Sequence, residues 1–233
     1  MKSDIQIRNS ADVCYIDIEG TIGVPEQWQF ASPDDRVATY EKFRDAVARI
    51  AALDAPQVVV NIRSTGGDVN DALLIYDALA ALDAEVTTRC YGYVASAATL
   101  IAQAASEGRR EISAGALYLV HAAACAAEGN AAELEARAEL LRKAYAALYA
   151  RRSGRPQEEF AQRMAENNGN GRWLSPEETV AAGLADRIVE GGETAEGERS
   201  AVRNLASGWN RLLAALGLHG AAAPAGAARE EDR

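Results

Sequence analysis

The sequence predicts an α/β protein with a mostly parallel sheet, because short apolar runs of strand type alternate with glycine turns and with segments of helical periodicity. Residues 58–62 show the clearest run, which is almost entirely apolar, as strands covered on both faces are. A glycine turn over residues 64–68 follows it, and then a helix with apolar residues over 72–79. One strand, one glycine turn and one helix therefore form a unit, and the same order returns along the chain.

The first predicted element is a strand over residues 13–18, which Gly20, Gly23 and Pro25 end. A polar loop over residues 25–35 leads into a helix that begins near Pro33 or Asp34, where apolar residues start to recur at three- and four-residue steps. The remaining expected elements are strands over 85–91, 117–120 and 187–189, a buried helix over 95–105, helices over 130–152 and 156–166, a loop over 167–171, and a short helix from Ser175 to a stop at Gly183.

The character of the chain changes near residue 190, which divides it into two predicted regions. Residues 1–190 form the predicted α/β domain. Residues 191–233 are expected to comprise a linker, an amphipathic helix and a disordered tail rich in alanine and glycine.

The composition excludes several kinds of function. Lys and Arg number 24 against 34 Asp and Glu, and the net charge of −10 argues against a nucleic-acid partner, whose binding depends on basic patches. No apolar run is long enough to cross a bilayer and no signal-peptide core follows the start, so we expect a cytoplasmic protein without a membrane partner. The three cysteines, Cys14, Cys90 and Cys125, are odd in number and widely spaced, which gives neither a disulfide framework nor a zinc site. Neither a metal nor an organic cofactor is expected.

Residues able to act as a base are scarce, since the chain has only two histidines, His121 and His219, and three lysines. Ser96 follows a predicted strand and opens a predicted helix, where the helix dipole and free N–H groups stabilise developing negative charge. On spacing alone, a helix cap or a buried hydroxyl is the commoner role for such a serine. A serine nucleophile needs a base at neutral pH, and His121 is the histidine expected within the folded core.

The glycine turn over residues 64–68 is a second candidate. A tight turn accounts for its glycines, but Gly67 also has no side chain to block a ligand, so its N–H can point at a substrate oxygen. The phosphate-binding patterns Gly-x-Gly-x-x-Gly and Gly-x4-Gly-Lys-Ser/Thr are absent, which argues against a nucleotide site.

Five motifs occur in an order that resembles the Clp protease proteolytic subunit family. In sequence letters they are NIRSTGG at 61–67, YGYVASA at 91–97, LVH at 119–121, WLSPEE at 173–178 and AGLAD at 182–186. The resemblance covers roughly residues 11–190 and is nearest to the divergent branch of the family found in phages and mobile elements.

The resemblance implies a fold, a site and an assembly. The fold would be the crotonase-like spiral of ββα units, with the helix over 130–152 as a protruding handle. Ser96 matches the nucleophile of the family and His121 its base. The N–H groups of Gly67 and Ala97 match the oxyanion hole. The implied enzyme is a serine endopeptidase that cleaves unfolded polypeptide inside paired seven-membered rings of its own copies, supplied by a ring ATPase and needing no cofactor.

One position departs from the family pattern. Where the family has the acidic third member of the triad, this chain has Gly171, which has no side chain to orient a histidine. Asn170 is the expected substitute, with Asn168 as an alternative, because an amide oxygen can accept the imidazole N–H. Glu166 could accept the imidazole N–H only if the loop folds back. An amide stabilises the imidazolium less than a carboxylate does, so we expect an enzyme that is slow, or that needs assembly or a partner to complete its site.

Three other functions remain open. A catalytically weakened or inactive structural homologue would explain Gly171. An acyl-CoA-binding crotonase would share the oxyanion hole but would not explain Ser96 and His121 at their family spacing. A Ser–Lys peptidase would need Lys143, which lies in the handle-like helix, far in sequence from any serine motif.

Overall fold

The structure, a computed structural model, describes residues 4–9, 13–23, 48, 55–122 and 130–190, the first of these ranges for its backbone alone. Outside the described residues lie the loop predicted over 25–35, most of the helix predicted after Asp34, the whole region 191–233, and the side chains of Cys125 and His219. The interpretations of those segments stay predictions.

The described residues form eight strands and five helices. The strands are β1 Asp4–Asn9, β2 Val13–Ile22, β3 Gln57–Gly67, β4 Glu85–Ala95, β5 Arg110–Ser113, β6 Leu117–Val120, β7 Arg172–Leu174 and β8 Arg187–Val189. The helices are α1 Val69–Ala80, α2 Ala98–Ala102, α3 Ala131–Ser153, α4 Gln157–Ala165 and α5 Pro176–Ala181.

The strands form one sheet in the order β1-β2-β3-β4-β5-β8, with β6 paired to β4 and β7 paired to β6. The β1–β2 and β6–β7 pairs are antiparallel, and every other pair is parallel. The predicted α/β class with a mostly parallel sheet is confirmed. No helix within the described ranges combines the length and the apolar character that crossing a bilayer requires.

The core lies against β2, β3 and β4 at the centre of the sheet. Burial alternates from residue to residue along β2, as expected for a strand with one face on the core. β3 is buried without interruption over residues 60–62, between its parallel neighbours β2 and β4.

The long helix α3 is half exposed and half embedded. It begins with a capping box between Asn130 and Glu133 and ends at Gly154, whose φ of +70° is the left-handed conformation that glycine adopts at helix ends. Its first half is largely exposed, with Leu140 at 68% exposure, whereas Tyr145 and Tyr149 in its second half are buried. The helix therefore projects from the domain at its amino-terminal end, as a handle helix would.

Three predicted boundaries are wrong, each near a glycine. β2 runs past the predicted end at residue 18 to Ile22, directly before Gly23, with a shift of register just after Gly20. β3 continues through the predicted turn to Gly67. β4 runs to Ala95, so the buried helix predicted over 95–105 is shortened to α2. A glycine within an apolar run predicts a turn when only neighbouring residues are considered. Here the strands continue past these glycines because they pair with neighbouring strands on both sides of them.

Candidate active site

The carboxyl ends of three adjacent parallel strands bring the candidate residues together. Pairing of β3 with β4 extends to Ser64 and Val94, and pairing of β4 with β6 extends to Ala95 and Leu119. The residue that directly follows β4 is Ser96, and the residue that follows β6 is His121. Parallel strands end at one edge of a sheet, which is where open α/β folds bind their ligands.

Ser96 has a strained backbone that its neighbours hold in place. Its φ of +57° lies in the left-handed region, which costs a residue with a side chain about 1–2 kcal/mol. Its N–H donates to the carbonyl oxygen of Leu119 at 3.0 Å, and its own carbonyl accepts from the N–H of Thr99 at 2.9 Å. Such strain at a strand-to-helix turn exposes the nucleophile in hydrolases of another fold and often marks a functional site.

Gly66 packs directly against the turn that carries Ser96. It has a φ of +84°, and a Cβ at this position would lie 2.6 Å from the Ala95 carbonyl oxygen and 2.8 Å from the backbone nitrogen of Ala97. Only glycine allows β3 to approach the serine turn this closely. The structure therefore adds Gly66 to the candidate site, and the glycine pair in the sequence was the signal that could have identified it.

Gly67 meets β2 on its other side. A Cβ on Gly67, whose φ is +149°, would lie 1.9 Å from the carbonyl oxygen of Ile22. Ala97 follows Ser96 and lies against Gly66, so both predicted oxyanion donors are within one residue of the contact between β3 and the serine turn. The roles of the Gly67 and Ala97 N–H groups stay predictions.

His121 is half-buried at the end of β6. Burial lowers the pKa of its imidazole below the ordinary value of 6.5, and a backbone hydrogen bond with Ala122 opposes that shift. The N–H of Ala122 donates to the carbonyl oxygens of Met164 at 3.1 Å and Gly169 at 3.0 Å, which anchors the chain just after the histidine. In the described part of the chain no hydrogen bond joins the imidazole to the Ser96 hydroxyl, a bond that in many enzymes tightens only around substrate.

The loop over residues 167–171 runs close to His121. At Gly171, the position that matches the family's acid, only backbone faces the histidine. Gly171 has a φ of +67°, and a Cβ there would lie 2.1 Å from the carbonyl oxygen of Val120 and 3.0 Å from the Cβ of His121. This close approach requires glycine, so the missing carboxylate reflects the path of the backbone as well as the identity of one residue.

The side chains predicted as candidates for the third residue of the triad are either hydrogen-bonded within their own loop or exposed. The Asn170 amide donates to the carbonyl oxygen of Asn167 at 2.9 Å, and Asn168 is exposed. Glu166 lies 3.5 Å from Arg172 in an exposed ion pair. Among the described residues none of these side chains forms a hydrogen bond with the imidazole. The assignment of Asn170 as the orienting group stays a prediction, and it requires the loop to rearrange.

Restoring the family's acid with Gly171→Asp is expected to destabilise the protein rather than improve the site. The new Cβ would overlap the Val120 carbonyl, and the left-handed φ would add strain, so we expect a loss of about 2 kcal/mol or more in the free energy of unfolding. Denaturant unfolding checks this, with Asn168→Asp as the matched control, because Asn168 is exposed and its side chain makes no hydrogen bond within the described residues. Unchanged stability of Gly171→Asp would contradict the observed path of the loop.

The two cysteines in the described part of the chain do not compete with Ser96 as nucleophiles. Cys14 and Cys90 are free and buried, and burial raises the pKa of both thiols, to about 12 for Cys90. Within the described ranges, no group of three or more His, Cys, Asp or Glu side chains lies close enough together to hold a metal ion.

Comparison with known proteins identifies the family. The family model described as Clp protease matches residues 38–192. The ATP-dependent Clp protease proteolytic subunit of Deinococcus radiodurans is 27% identical over 151 residues, which cover 62% of this chain and 72% of that protein. A solved structure of a ClpP1 mutant from Listeria monocytogenes shares the fold with a TM-score of 0.61 at 21% identity, covering 77% of this chain and 92% of that one. The chain belongs to the Clp protease family.

Proposed function

We propose that this protein is a serine endopeptidase that cleaves unfolded polypeptide, with Ser96 as the nucleophile and His121 as the base. Membership of a peptidase family supports the reaction class. The observation that carries the proposal is the left-handed Ser96 directly after β4. It lies next to the end of β6, which His121 follows, and against Gly66 of β3.

The proposed reaction passes through an acyl-enzyme. The Ser96 Oγ forms a bond to the scissile carbonyl carbon while its proton moves to the imidazole of His121. The N–H groups of Gly67 and Ala97 bind the oxyanion, each contributing about 3 kcal/mol in other hydrolases. The C–N bond then breaks as the imidazolium gives its proton to the leaving amine, and water hydrolyses the ester by the same steps.

The end of β3 offers a place for the substrate backbone. Pairing of β3 with β4 ends at Ser64, whereas its pairing with β2 continues to Gly67. Residues 65–67 therefore have one edge that makes no ladder pairing with β4, beside the serine turn. An extended peptide that added itself along this edge would bind through its backbone, which gives little side-chain specificity.

We further propose that the chain assembles with its own copies into rings, two of which pair to enclose the sites, and that a ring ATPase supplies the substrate. The exposed first half of α3 supports a contact between subunits, since Leu140 on it is 68% exposed. The relative from Deinococcus radiodurans is named an ATP-dependent subunit, which supports the ATPase.

A relative that forms the assembly without turnover is the second candidate, and Gly171 favours it because no carboxylate of the described residues forms a hydrogen bond with the imidazole. A Ser–Lys mechanism receives no support, because Lys143 is 64% exposed on α3 and lies 3.4 Å from Glu139 in an ion pair. The acyl-CoA alternative would require binding of CoA thioesters, which titration calorimetry measures directly.

Labelling with a fluorophosphonate tests the proposed function. The full-length, assembled protein is treated with the probe and digested, and the modified peptide is mapped by mass spectrometry. We expect a single adduct on Ser96, together with cleavage of an unfolded model polypeptide. An adduct without polypeptide cleavage would favour the second candidate, and the absence of any adduct on Ser96 would refute the serine mechanism.

The rate of Ser96 labelling is expected to rise with pH and to reach its plateau early. The base is the neutral imidazole, and burial disfavours the charged form, which lowers the pKa of His121 below 6.5. The midpoint of the acid limb should therefore lie below pH 6.5, and the rate should be near its maximum at pH 7. The rate of labelling is measured across pH 4.5–8.5 by quenching the reaction at fixed times, and each rate is corrected for hydrolysis of the probe in buffer. A midpoint clearly above 6.5 would contradict the buried setting of the base.

A further inference from the structure

We propose that Thr99 is a positioning residue that fixes the peptide between Ser96 and Ala97 and thereby aims the Ala97 N–H at the oxyanion. The inference rests on the proposed function, because it concerns how one donor of the same site is oriented. Thr99 lies within α2, three residues after the nucleophile, and its side chain is fully buried.

The contact that carries the inference is a pair of hydrogen bonds to one oxygen. The carbonyl of Ser96 accepts from the backbone N–H of Thr99 at 2.9 Å and from the Thr99 hydroxyl at 2.5 Å. This carbonyl and the N–H of Ala97 belong to the same planar peptide unit, in which they point in opposite directions. Holding the oxygen toward Thr99 therefore holds the Ala97 N–H away from α2.

The partners of the Thr99 hydroxyl determine where its hydrogen points. A threonine hydroxyl has one hydrogen, and a carbonyl oxygen can only accept, so the Thr99 hydrogen is directed at the Ser96 oxygen. The hydroxyl of Tyr149 lies 2.6 Å from Thr99 Oγ1. Tyr149 must then be the donor in that contact, and Thr99 the acceptor. Both side chains are buried, so water does not compete for either group.

The backbone carbonyl of Thr99 is also hydrogen-bonded by a buried side chain. It accepts from the hydroxyl of Tyr118 at 3.1 Å, and that hydroxyl accepts from the Gln103 amide at 3.2 Å. The Gln103 oxygen in turn accepts from Arg110 at 2.8 Å. All of these side chains are buried, so Thr99 is a rigid support for a serine turn whose own backbone is strained.

Three single variants and one double variant test the inference in the full-length, assembled protein. Thr99→Val keeps the shape and removes the hydroxyl, and Thr99→Ser keeps the hydroxyl. Tyr149→Phe removes the donor to Thr99 but leaves the bond from Thr99 to Ser96 in place. The double variant Thr99→Val with Tyr149→Phe removes the tyrosine hydroxyl that the valine alone would leave buried and unpaired.

We expect Thr99→Val to slow fluorophosphonate labelling of Ser96 and to lower kcat about 10- to 100-fold, with KM for a peptide substrate little changed, since a misaimed oxyanion donor acts on the transition state. Thr99→Ser should restore most of the rate, and Tyr149→Phe should lose less than Thr99→Val. The double variant should recover stability relative to Thr99→Val without recovering rate.

Thr179→Val is the matched control. Thr179 is also fully buried, and its hydroxyl also donates to a backbone carbonyl, that of Ser175 at 2.7 Å, outside the site. A similar loss of rate in Thr179→Val, or labelling of Thr99→Val and of the double variant at the wild-type rate, would overturn the inference alone. Failure of the wild-type protein to label at Ser96 would overturn the proposed function and the inference with it.

Discussion

Replacing Ser96 with alanine is expected to abolish fluorophosphonate labelling and to lower kcat/KM for polypeptide cleavage by at least about 10⁴-fold, as removal of a nucleophile does in other serine hydrolases. No acyl-enzyme can form without the Oγ. Within the described residues the Ser96 hydroxyl makes no hydrogen bond, so its removal should leave the free energy of unfolding nearly unchanged. Loss of activity without loss of stability is therefore the signature of a catalytic role.

The measurement is the rate of cleavage of an unfolded, fluorescently labelled polypeptide, with the midpoint of denaturant unfolding recorded for each variant. Ser113→Ala is the matched control, because Ser113 is a half-buried serine at the end of β5, a strand outside the site. It should retain wild-type labelling and cleavage. Persistent labelling of Ser96→Ala at another serine, with cleavage intact, would assign the nucleophile elsewhere in the chain.

Gly66→Ala is expected to lower the rate of Ser96 labelling by about 100-fold or more, although the substitution adds a single methyl group. That methyl group would lie 2.6 Å from the Cβ of Ser96 and 2.8 Å from the Ala97 nitrogen, so the serine turn must move. A displacement of about 1 Å in a catalytic constellation costs roughly 100-fold in rate. The shifted turn would also weaken the hydrogen bonds of the Ser96 backbone to Leu119 and Thr99, so thermal stability should fall.

Gly108→Ala separates the two causes of that effect. Gly108 has a φ of +72°, close to the +84° of Gly66, but a Cβ there would meet nothing within 4 Å. Both variants therefore carry the left-handed strain of about 1–2 kcal/mol, and only Gly66→Ala carries the overlap with the serine turn. Equal labelling rates in the two variants would contradict the close packing of β3 against Ser96.

The elements that could be predicted from the sequence are those whose pattern is local. The apolar run that became β3, the α1 helix and the capped α3 helix depend on periodicity and on caps within a few residues, and their types are confirmed. The last strand has the predicted bounds, Arg187–Val189. Membership of the Clp protease family, inferred from five short motifs in series, is confirmed as well.

β5 was not predicted because its charges are neutralised by residues far away in the chain. Its first two residues, Arg110 and Glu111, are only 7% and 3% exposed, and a strand that begins with two charges does not resemble a buried one. Arg110 bonds to Asp186, 76 residues away, and Glu111 lies between Arg89 and Arg187. Ion pairing lowers the pKa of Glu111 and of Asp186 despite their partial burial, so both carboxylates stay charged in the folded protein.

For the candidate site, the scarcity of histidine and the order of the motifs singled out Ser96 and His121, and their roles stay predictions. The proposed role of Thr99 could not have been anticipated, because it depends on which hydroxyl groups of α3 and β6 reach α2. The pairing of Asn170 could not have been anticipated either. Its side-chain amide donates to the Asn167 carbonyl within the loop and makes no hydrogen bond with the His121 imidazole among the described residues.

The sequence by itself determined the fold class, the order of those strands and helices that have a local pattern, and the small set of side chains able to do acid–base chemistry, because hydrophobic periodicity and residue identity are properties of the chain. Only the tertiary structure decided how closely the backbone of β3 approaches the serine turn, which polar groups are already paired, and how closely the backbone at Gly171 approaches His121. Those features depend on distances between segments far apart in sequence, and such distances are set only when the sheet register brings the strand ends together.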